Sequence, residues 1–450
     1  MSVVPSKDCY LLYGILFLII MKTKSIWFLA LVAAMGGFLF GYDTAVINGA
    51  EQDIQRVFNL SATYHGLVMS SAIWGTVIGA LLGGRIADNI GRKKTLLYVG
   101  LLYLVSAVWS GLASGPVSLF IARIIGGLGV GCSSVVAPVY IAEISPAEKR
   151  GLMTAIFQLD VVTGMCASQF VNMAISKIGG EAWRWMLGAE AVPAFLFFVL
   201  CFFIIESPRW LSEKNNKVVR TDAGSSFNSF WNKDNRRPIL LAIFIALFNQ
   251  LSGVNAIIYF MPRIFNMAGF SEHISMLLTA MNSVFFVVGT IIGMNLIDRL
   301  GRKKLLVIGG SGYVVSLLVL ALTFHFSIGW ASTVCIVIFM LSHAIGQGTV
   351  IWVIISEIFP TSVRGKGQSV GAFTHWTMSA IITLLFPIAA ELLSAEVIFG
   401  TFGVFMIVHL LWAIFIVPET KGMPLEDLSD MMKYGRHYID MRNSASDISE

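Results

Sequence analysis

The stretch GGFLFGYDTAVINGA, residues 36–50, is apolar except for one carboxylate, Asp43. A charge is costly to desolvate there. Within a membrane, an ionisable side chain marks a functional site when a group of opposite sign stands at the same depth. Arg123 meets that condition. The first apolar run leaves one face near Trp27 and reaches Asp43 after about 24 Å at 1.5 Å per residue. The fourth run starts from the opposite face near Pro116, which brings Arg123 into the same half of the layer. A carboxylate held against a guanidinium among apolar side chains can gain or lose a proton as the pair is joined or drawn apart. The same residues also fit a permanent ion pair that merely fastens two helices.

A second set of groups is polar but uncharged. Gln158, Asn249, Gln250, Asn255 and Asn282 lie in apolar runs, as do the indoles Trp352 and Trp376 and the imidazole His375. Amides donate and accept at once and rings pack on C–H faces, so together they suit a ligand with many hydroxyls. Taken singly, each is more simply an interhelical hydrogen bond or a packing aromatic. His375 fits contact with a ligand, titration or helix packing. Asp160 lies about 200° round a helix from Gln158 and faces away from it.

The elements that must position these groups follow from composition. The chain has 450 residues, is 56% hydrophobic and 13% charged, and has a mean hydropathy of +0.78, which places it among polytopic membrane proteins. Apolar runs of roughly 20 residues, enough to cross a bilayer, occur near 26–48, 66–88, 95–114, 117–142, 151–173 and 185–205. A second six lie near 238–260, 274–297, 304–325, 329–356, 368–389 and 396–417. Lipid offers no hydrogen bonds to open backbone, so these runs are helices. Lys and Arg gather before the first run and on alternate loops, which puts both termini in the cytoplasm. Arg263 and Glu272 are expected in a loop. The net charge of +5 reflects this bias and gives no reason to expect a nucleic acid.

Residues 10–21, YLLYGILFLIIM, are short for a span. They have the length of a signal-peptide core, but no small-residue cleavage site follows, and a surplus N-terminal extension over 1–25 is the preferred reading. Cys132, Cys166, Cys201 and Cys335 have no metal-ligand spacing and read as small packing residues. No metal or cofactor is expected. Nor does any run assemble nucleophile, base and oxyanion donors, which argues against an enzyme.

The chain is written twice. DNIGRKK at 88–94 returns as DRLGRKK at 298–304, and AEISPAEKRG at 142–151 as SEIFPTSVRG at 356–365; IESPRWL near 205 has an echo in PETKG near 418. Arg92 and Arg302, Glu143 and Glu357, and Glu206 and Glu419 are offset by 210, 214 and 213 residues. The fold expected is therefore an all-α membrane protein of twelve transmembrane helices in two pseudo-symmetric six-helix bundles, 26–206 and 238–418. A cytoplasmic linker (207–237) joins them and a cytoplasmic tail (419–450) follows. Two such halves can rock about a central site, which points to transport. Arg92, Glu143, Arg150 and Glu206, with Arg302, Glu357, Arg364 and Glu419, are expected to pair across the cytoplasmic seam as a gate when the carrier faces outward. The plainer alternative is topogenic charge.

FLFGYDTAVINGA, GGRIADNIGRKK, RIIGGLGVGCSSVVAPVYIAEISPAEKRG, ESPRWL, NQLSGVNAIIYF and PETKG occur in that order. In them the chain resembles the sugar porter family of the major facilitator superfamily, over nearly its whole length. It is most similar to bacterial proton-coupled pentose and hexose symporters. The resemblance implies the major facilitator fold, a proton-coupling role for Asp43, and sugar contact by Gln158, Gln250, Asn255, Asn282 and Trp352. It implies the cytoplasmic gate as well, with Glu190 as a part of it near the cytoplasmic half. The chain departs from the family at Asn249, where a second glutamine is usual, at His375, where an amide is common, at Asp160, and in GQGTVIW, which replaces a proline-rich segment.

The expectation is a monomer in the lipid bilayer of a bacterial inner membrane, importing a monosaccharide, hexose or pentose, together with a proton. The alternatives are a passive facilitator with the same cavity and, more remotely, a sugar receptor on a transporter scaffold.

Overall fold

The computed structural model of the chain describes residues 26–146, 149–215, 230–232, 235–360, 363–423, 428 and 431–433. The stretch 10–21 and most of the linker lie outside them. Among the described residues there is no strand, and twelve long helices account for the apolar runs. In the first half these are α1 (Ile26–Val57), α2 (Ala62–Ile90), α3 (Arg92–Gly111), α4 (Pro116–Ile144), α5 (Arg150–Ile175) and α6 (Ala182–Phe203). In the second they are α7 (Arg236–Met267), α8 (Glu272–Leu300), α9 (Arg302–His325), α10 (Gly329–Glu357), α11 (Arg364–Leu392) and α12 (Ala395–Phe415). All but α5 are apolar enough by composition to cross a membrane. Helix α5 carries Gln158, Asp160, Gln169 and Asn172, which lower its hydropathy and foretell that one of its faces is not lipid.

Three helices are broken. Helix α6 divides at Glu190, α7 into α7a (Arg236–Leu251) and α7b (Val254–Met267), and α10 into α10a (Gly329–Ile345) and α10b (Gln347–Glu357). Gly253 allows the second break with φ 78°, in the left-handed region, and a Cβ there would lie 2.5 Å from the Phe402 ring. The third break falls at Gly346 although GQGTVIW has no proline.

Several helices run longer than the apolar runs did. Backbone hydrogen bonding continues past the hydrocarbon boundary, so α1 extends through Glu51 and Asp53 to Val57, and α7 through Arg263 to Met267. Arg263 is therefore a helical residue and not the loop residue the sequence led us to expect.

Small residues bring α1 against α5 and α2 against α4. A Cβ on Gly41 would lie 1.8 Å from the Val161 carbonyl oxygen, and one on Gly164 1.9 Å from that of Phe38. Without solvent to drive helices together, such close backbone approach supplies the packing. It fixes α1, and with it Asp43, two residues beyond Gly41.

The buried apolar residues show how the halves meet. At the end where the chain enters α1 and the basic loops gather, here the basic end, there are two separate cores. One is built from residues 29–204 and the other from residues 230–432. At the opposite end a single core draws on both halves, from Tyr42 and Ile47 to Phe260, Phe265 and Phe386. The halves are joined at one end and have distinct cores at the other.

Replacing Gly41 by Leu should force α1 off α5 and lower the thermal unfolding midpoint of the purified protein by several degrees. Gly115→Ala, at a site with nothing within 4 Å, should leave it unchanged.

Candidate functional site

Asp43 and Arg123 meet as the sequence led us to expect. Both are buried, at 1% and 2% exposure, and Arg123 Nη1 donates to Asp43 Oδ1 at 2.5 Å while Nη2 donates to the Asp43 backbone oxygen at 2.9 Å. The second bond ties the guanidinium to the α1 main chain, so Arg123 keeps one contact even when the carboxylate is neutral. Glu190, at the break in α6, is buried at 1% exposure and lies close enough to Asp43 and Arg123 to act on them electrostatically. This corrects its assignment to a gate near the cytoplasmic half: α6 runs back from the joined end, so a residue eight positions beyond Ala182 stays in the half of the layer that holds Asp43.

Two carboxyls beside one guanidinium form a site whose charge depends on proton count. With one proton between Asp43 and Glu190 the cluster is neutral, and with two it carries the charge of Arg123. Ser106 and Gly126 line the same place: a Cβ on Gly126 would lie 3.2 Å from Asp43 Oδ1.

The amides gather at the break in α7. Asn249 and Gln250 end α7a and are buried at 1% and 0% exposure. Gln250 Nε2 donates to Asn249 Oδ1 at 2.9 Å, and Asn255 Nδ2 donates to Gln250 Oε1 and to Ser379 Oγ, both at 2.6 Å. Gln250 Nε2 also lies 3.3 Å from both ring nitrogens of His375. The His375 ring stands 5.0 Å from that of Trp352 and 4.9 Å from that of Trp376, and Trp376 meets Phe40 of α1 at 5.6 Å. Six of the eight expected ligand residues thus form one cluster of hydroxyl-compatible groups between rings.

The other two stand apart from it. Gln158 is half-buried and makes no hydrogen bond among the described residues; it shares a face of α5 with Met165, two turns on. Asn282 donates to Met261 Sδ at 3.2 Å and lines a small cavity with Asn48, Met165, Gln169, Thr279 and Met340. Asn48 and Gln169 went unremarked in the sequence. Pro262 has no N–H, which leaves the Ile258 carbonyl without its intrahelical donor. Asn48 Nδ2, from the other half, supplies one at 2.8 Å. Asp160 is half-buried and forms no ion pair among the described residues.

Among the described residues, the charges of the basic end pair within each half; pairing across the seam is the expectation for an outward-facing carrier. Arg92 grips Glu143 through Nε and Nη2, both at 3.0 Å, and Arg302 Nη2 reaches Glu357 at 2.9 Å. No bond between Glu419 and Arg364 appears among the described residues. Glu206 accepts from the backbone N–H groups of Arg92 and Lys93, at 2.8 and 3.1 Å, and Glu419 from those of Arg302 and Lys303, at 2.9 and 3.2 Å. Each carboxylate caps a helix start, where free N–H groups and the helix dipole favour an anion. Gly91 and Gly301 precede those helices at φ 97° and 91°, and a Cβ on either would strike the capping carboxylate, at 2.2 and 2.5 Å. That explains the glycine of both GRKK elements. Arg364 Nε and Nη2 are buried without a hydrogen-bond partner among the described residues. The Arg150 side chain lies outside them.

A family model described as "Sugar (and other) transporter" matches residues 29–226 and again 215–432. The chain is 32% identical to the arabinose-proton symporter of Bacillus subtilis (strain 168), over 91% of this chain and 96% of that protein. It is 33% identical to a glucose transporter of Staphylococcus epidermidis, over 88% and 95%. Among solved structures, the inward open conformation of the xylose transporter XylE from E. coli aligns with a TM-score of 0.80 at 28% identity. That alignment covers 90% of this chain and 99% of the other.

Removing one member of a buried ion pair leaves the other uncompensated, at a cost of about 3–5 kcal/mol. Arg123→Leu should therefore destabilise the purified protein strongly, and adding Asp43→Asn should restore part of the loss, as read from thermal midpoints of both single variants and the double one.

Proposed function

The chain belongs to the sugar (and other) transporter family, and from that premise we propose that it imports a monosaccharide together with a proton by alternating access. The observation that carries the reading is the buried Asp43–Arg123 pair with Glu190 near it in one half, together with an amide cluster in the other. A passive carrier would have no need to bury such a cluster. The named symporters among its relatives support coupling to a proton.

In this reading the basic end lies in the cytoplasm of a bacterium, at the inner membrane, and both termini with it. The joined end then faces outward and is shut, and the parted cores belong to an inward-facing state. Bundles 26–206 and 238–418 move as the two bodies, with 207–237 as their linker, and one chain forms a complete unit.

The residues have separate tasks. A proton entering from outside binds the Asp43–Glu190 pair and weakens the hold of Arg123, which stays tied to the Asp43 carbonyl. Sugar hydroxyls replace the bonds that Asn249, Gln250, Asn255 and His375 make to one another, while Trp352 and Trp376 cover the C–H face. Gln158 and Asn282 complete the shell from α5 and α8. The shorter Asn249 and the imidazole at 375 enlarge and reshape the pocket, which suits either a pentose or a hexose. At the cytoplasmic face Arg92, Glu143, Arg150 and Glu206 form one half of the gate, and Arg302, Glu357, Arg364 and Glu419 the other. The pairs hold each half together while the gate is open and face one another when it shuts.

The test is reconstitution in liposomes with an imposed pH gradient. The substrate is found first by competition among glucose, galactose, xylose, arabinose and inositol. Asp43→Asn should abolish uphill accumulation of that sugar and sugar-driven alkalinisation while leaving exchange of labelled for unlabelled sugar intact. Gradient-driven accumulation that survives in Asp43→Asn would reject proton coupling through this site.

A further inference from the structure

The joined end holds a second buried charge cluster that the cycle above does not use. Glu51 lies eight residues beyond Asp43, about 12 Å further along α1 at 1.5 Å per residue, and its side chain is fully buried. Arg263 of α7b, in the opposite half, grips it with Nε to Oε1 at 3.0 Å and Nη2 to Oε2 at 2.7 Å. Planar two-point pairing of this kind is among the strongest contacts available to a carboxylate. The same guanidinium donates to Gln55, and one turn away Asn266 Nδ2 donates to Gln52 Oε1 at 3.1 Å. Glu51 Oε2 also faces His65 Nε2 of α2 at 3.3 Å, and His65 is itself fully buried. Neither ring nitrogen of His65 has a hydrogen-bond partner among the described residues. The ring stands edge-on to Phe260 of α7b at 6.0 Å, and Phe260 stacks on Phe386 of α11 at 4.9 Å.

We propose that Glu51, Arg263 and His65 form a protonatable latch that holds the outer mouth shut, a second acid-sensitive element separate from Asp43 and Arg123. The proposal rests on the outward orientation of this end given above. Every strong bond in the cluster crosses between the halves, so this end cannot part while Glu51 keeps its charge and its grip on Arg263. A proton arriving at the Glu51–His65 pair loosens that grip in either position. On Glu51 it removes the charge that Arg263 pairs with. On His65 it creates a cation that competes with Arg263 for the same oxygen, Oε2. The charged groups acting on the pair are Arg263 from α7b and Asp53 from α1, and Asp53 is itself paired with Arg56. Helix α11, packed against α2 here, presents Phe386. External acid then both opens the outer mouth through the latch and loads the coupling site below it.

The experiment measures the opening itself, with no dependence on substrate or coupling. Spin labels are placed on the full-length protein at Ile178 and Trp330, which are 65% and 71% exposed at the joined end, one in each half. Their separation is read by pulsed dipolar spectroscopy in detergent from about pH 8 to about pH 5.5, a range in which a carboxyl buried in apolar surroundings can titrate. The otherwise unaltered protein should gain a longer-distance population several-fold on acidification. Glu51→Gln and Arg263→Gln should each show that population already at the alkaline limit, with little further rise. His65→Phe should stay closed there and need stronger acid to open. Asp43, Arg123 and Glu190 are untouched in all three, so a lost pH response localises to the latch. If Glu51→Gln and Arg263→Gln both keep the parent distances and the parent pH response, the latch is refuted. Failure of Asp43→Asn to uncouple transport would leave this result standing.

Discussion

A charge inside a low-dielectric layer must be neutralised nearby, and the structure is arranged around that requirement. Desolvating an ion costs several kcal/mol even after relaxation. Asp43 and Arg123 can both be buried only because α1 and α4 place them in contact, and α1 holds its position because Gly41 and Gly164 let its backbone touch α5. Glu190 adds a carboxyl to the same enclosure, which turns a static pair into one whose net charge follows the number of protons it holds. The break of α6 at Glu190 belongs to the same arrangement, since it brings that residue into reach of α1.

The duplication explains what is repeated and what is not. Gly91 with Glu206, and Gly301 with Glu419, are the same device in both halves: a positive-φ glycine, a helix start and a capping carboxylate. Arg92–Glu143 and Arg302–Glu357 repeat likewise. Being internal to a half, these contacts make each bundle stiffer without joining it to the other. Stiff halves suit rigid-body rocking, where small local changes shift one packed arrangement into another. The chemistry is not repeated. The ion cluster belongs to the first half and the amide and imidazole cluster to the second, so neither half alone could link proton to sugar in the proposed cycle.

Much of this was legible in the residues. Run lengths gave the helices, the internal repeat gave the two halves, and a lone Asp and a lone Arg at matching depth gave the pair, because in lipid each of these patterns has few physical solutions. Three things were not. Arg263 was expected in a loop, and Glu51 drew no notice, because hydropathy falls at the interface while the helical backbone continues, so run length understates helix length. Glu190 followed a break in α6 that composition does not announce. Acid and base recurring at matching places in both halves fit pairing inside a half, as Arg92–Glu143 and Arg302–Glu357 do here, as well as pairing across the seam when the carrier faces outward, and residue types alone do not separate the two. GQGTVIW lacks the proline-rich segment usual in the family, and α10 breaks at Gly346, whose Cα would lie 2.7 Å from a Cβ placed on Gly309.

Helix α7 is where the two functional regions become one mechanical problem. Its first part ends in Asn249 and Gln250, inside the amide cluster, and its second begins at the left-handed Gly253 and carries Asn255, Tyr259 and Arg263. Pro262 strips one intrahelical bond from α7b, and the freed carbonyl of Ile258 is held by Asn48 of the opposite half. Thus α7b is bound to its own half through Asn255, and to the other through Asn48 and Glu51. A short helix with one left-handed residue at its start and a proline in its interior can pivot at low cost. In the proposed cycle, groups that engage Gln250 and Asn255 on one side, and protons that relax Glu51 on the other, would therefore act on the same lever, with the position of α7b a common variable for sugar and acid.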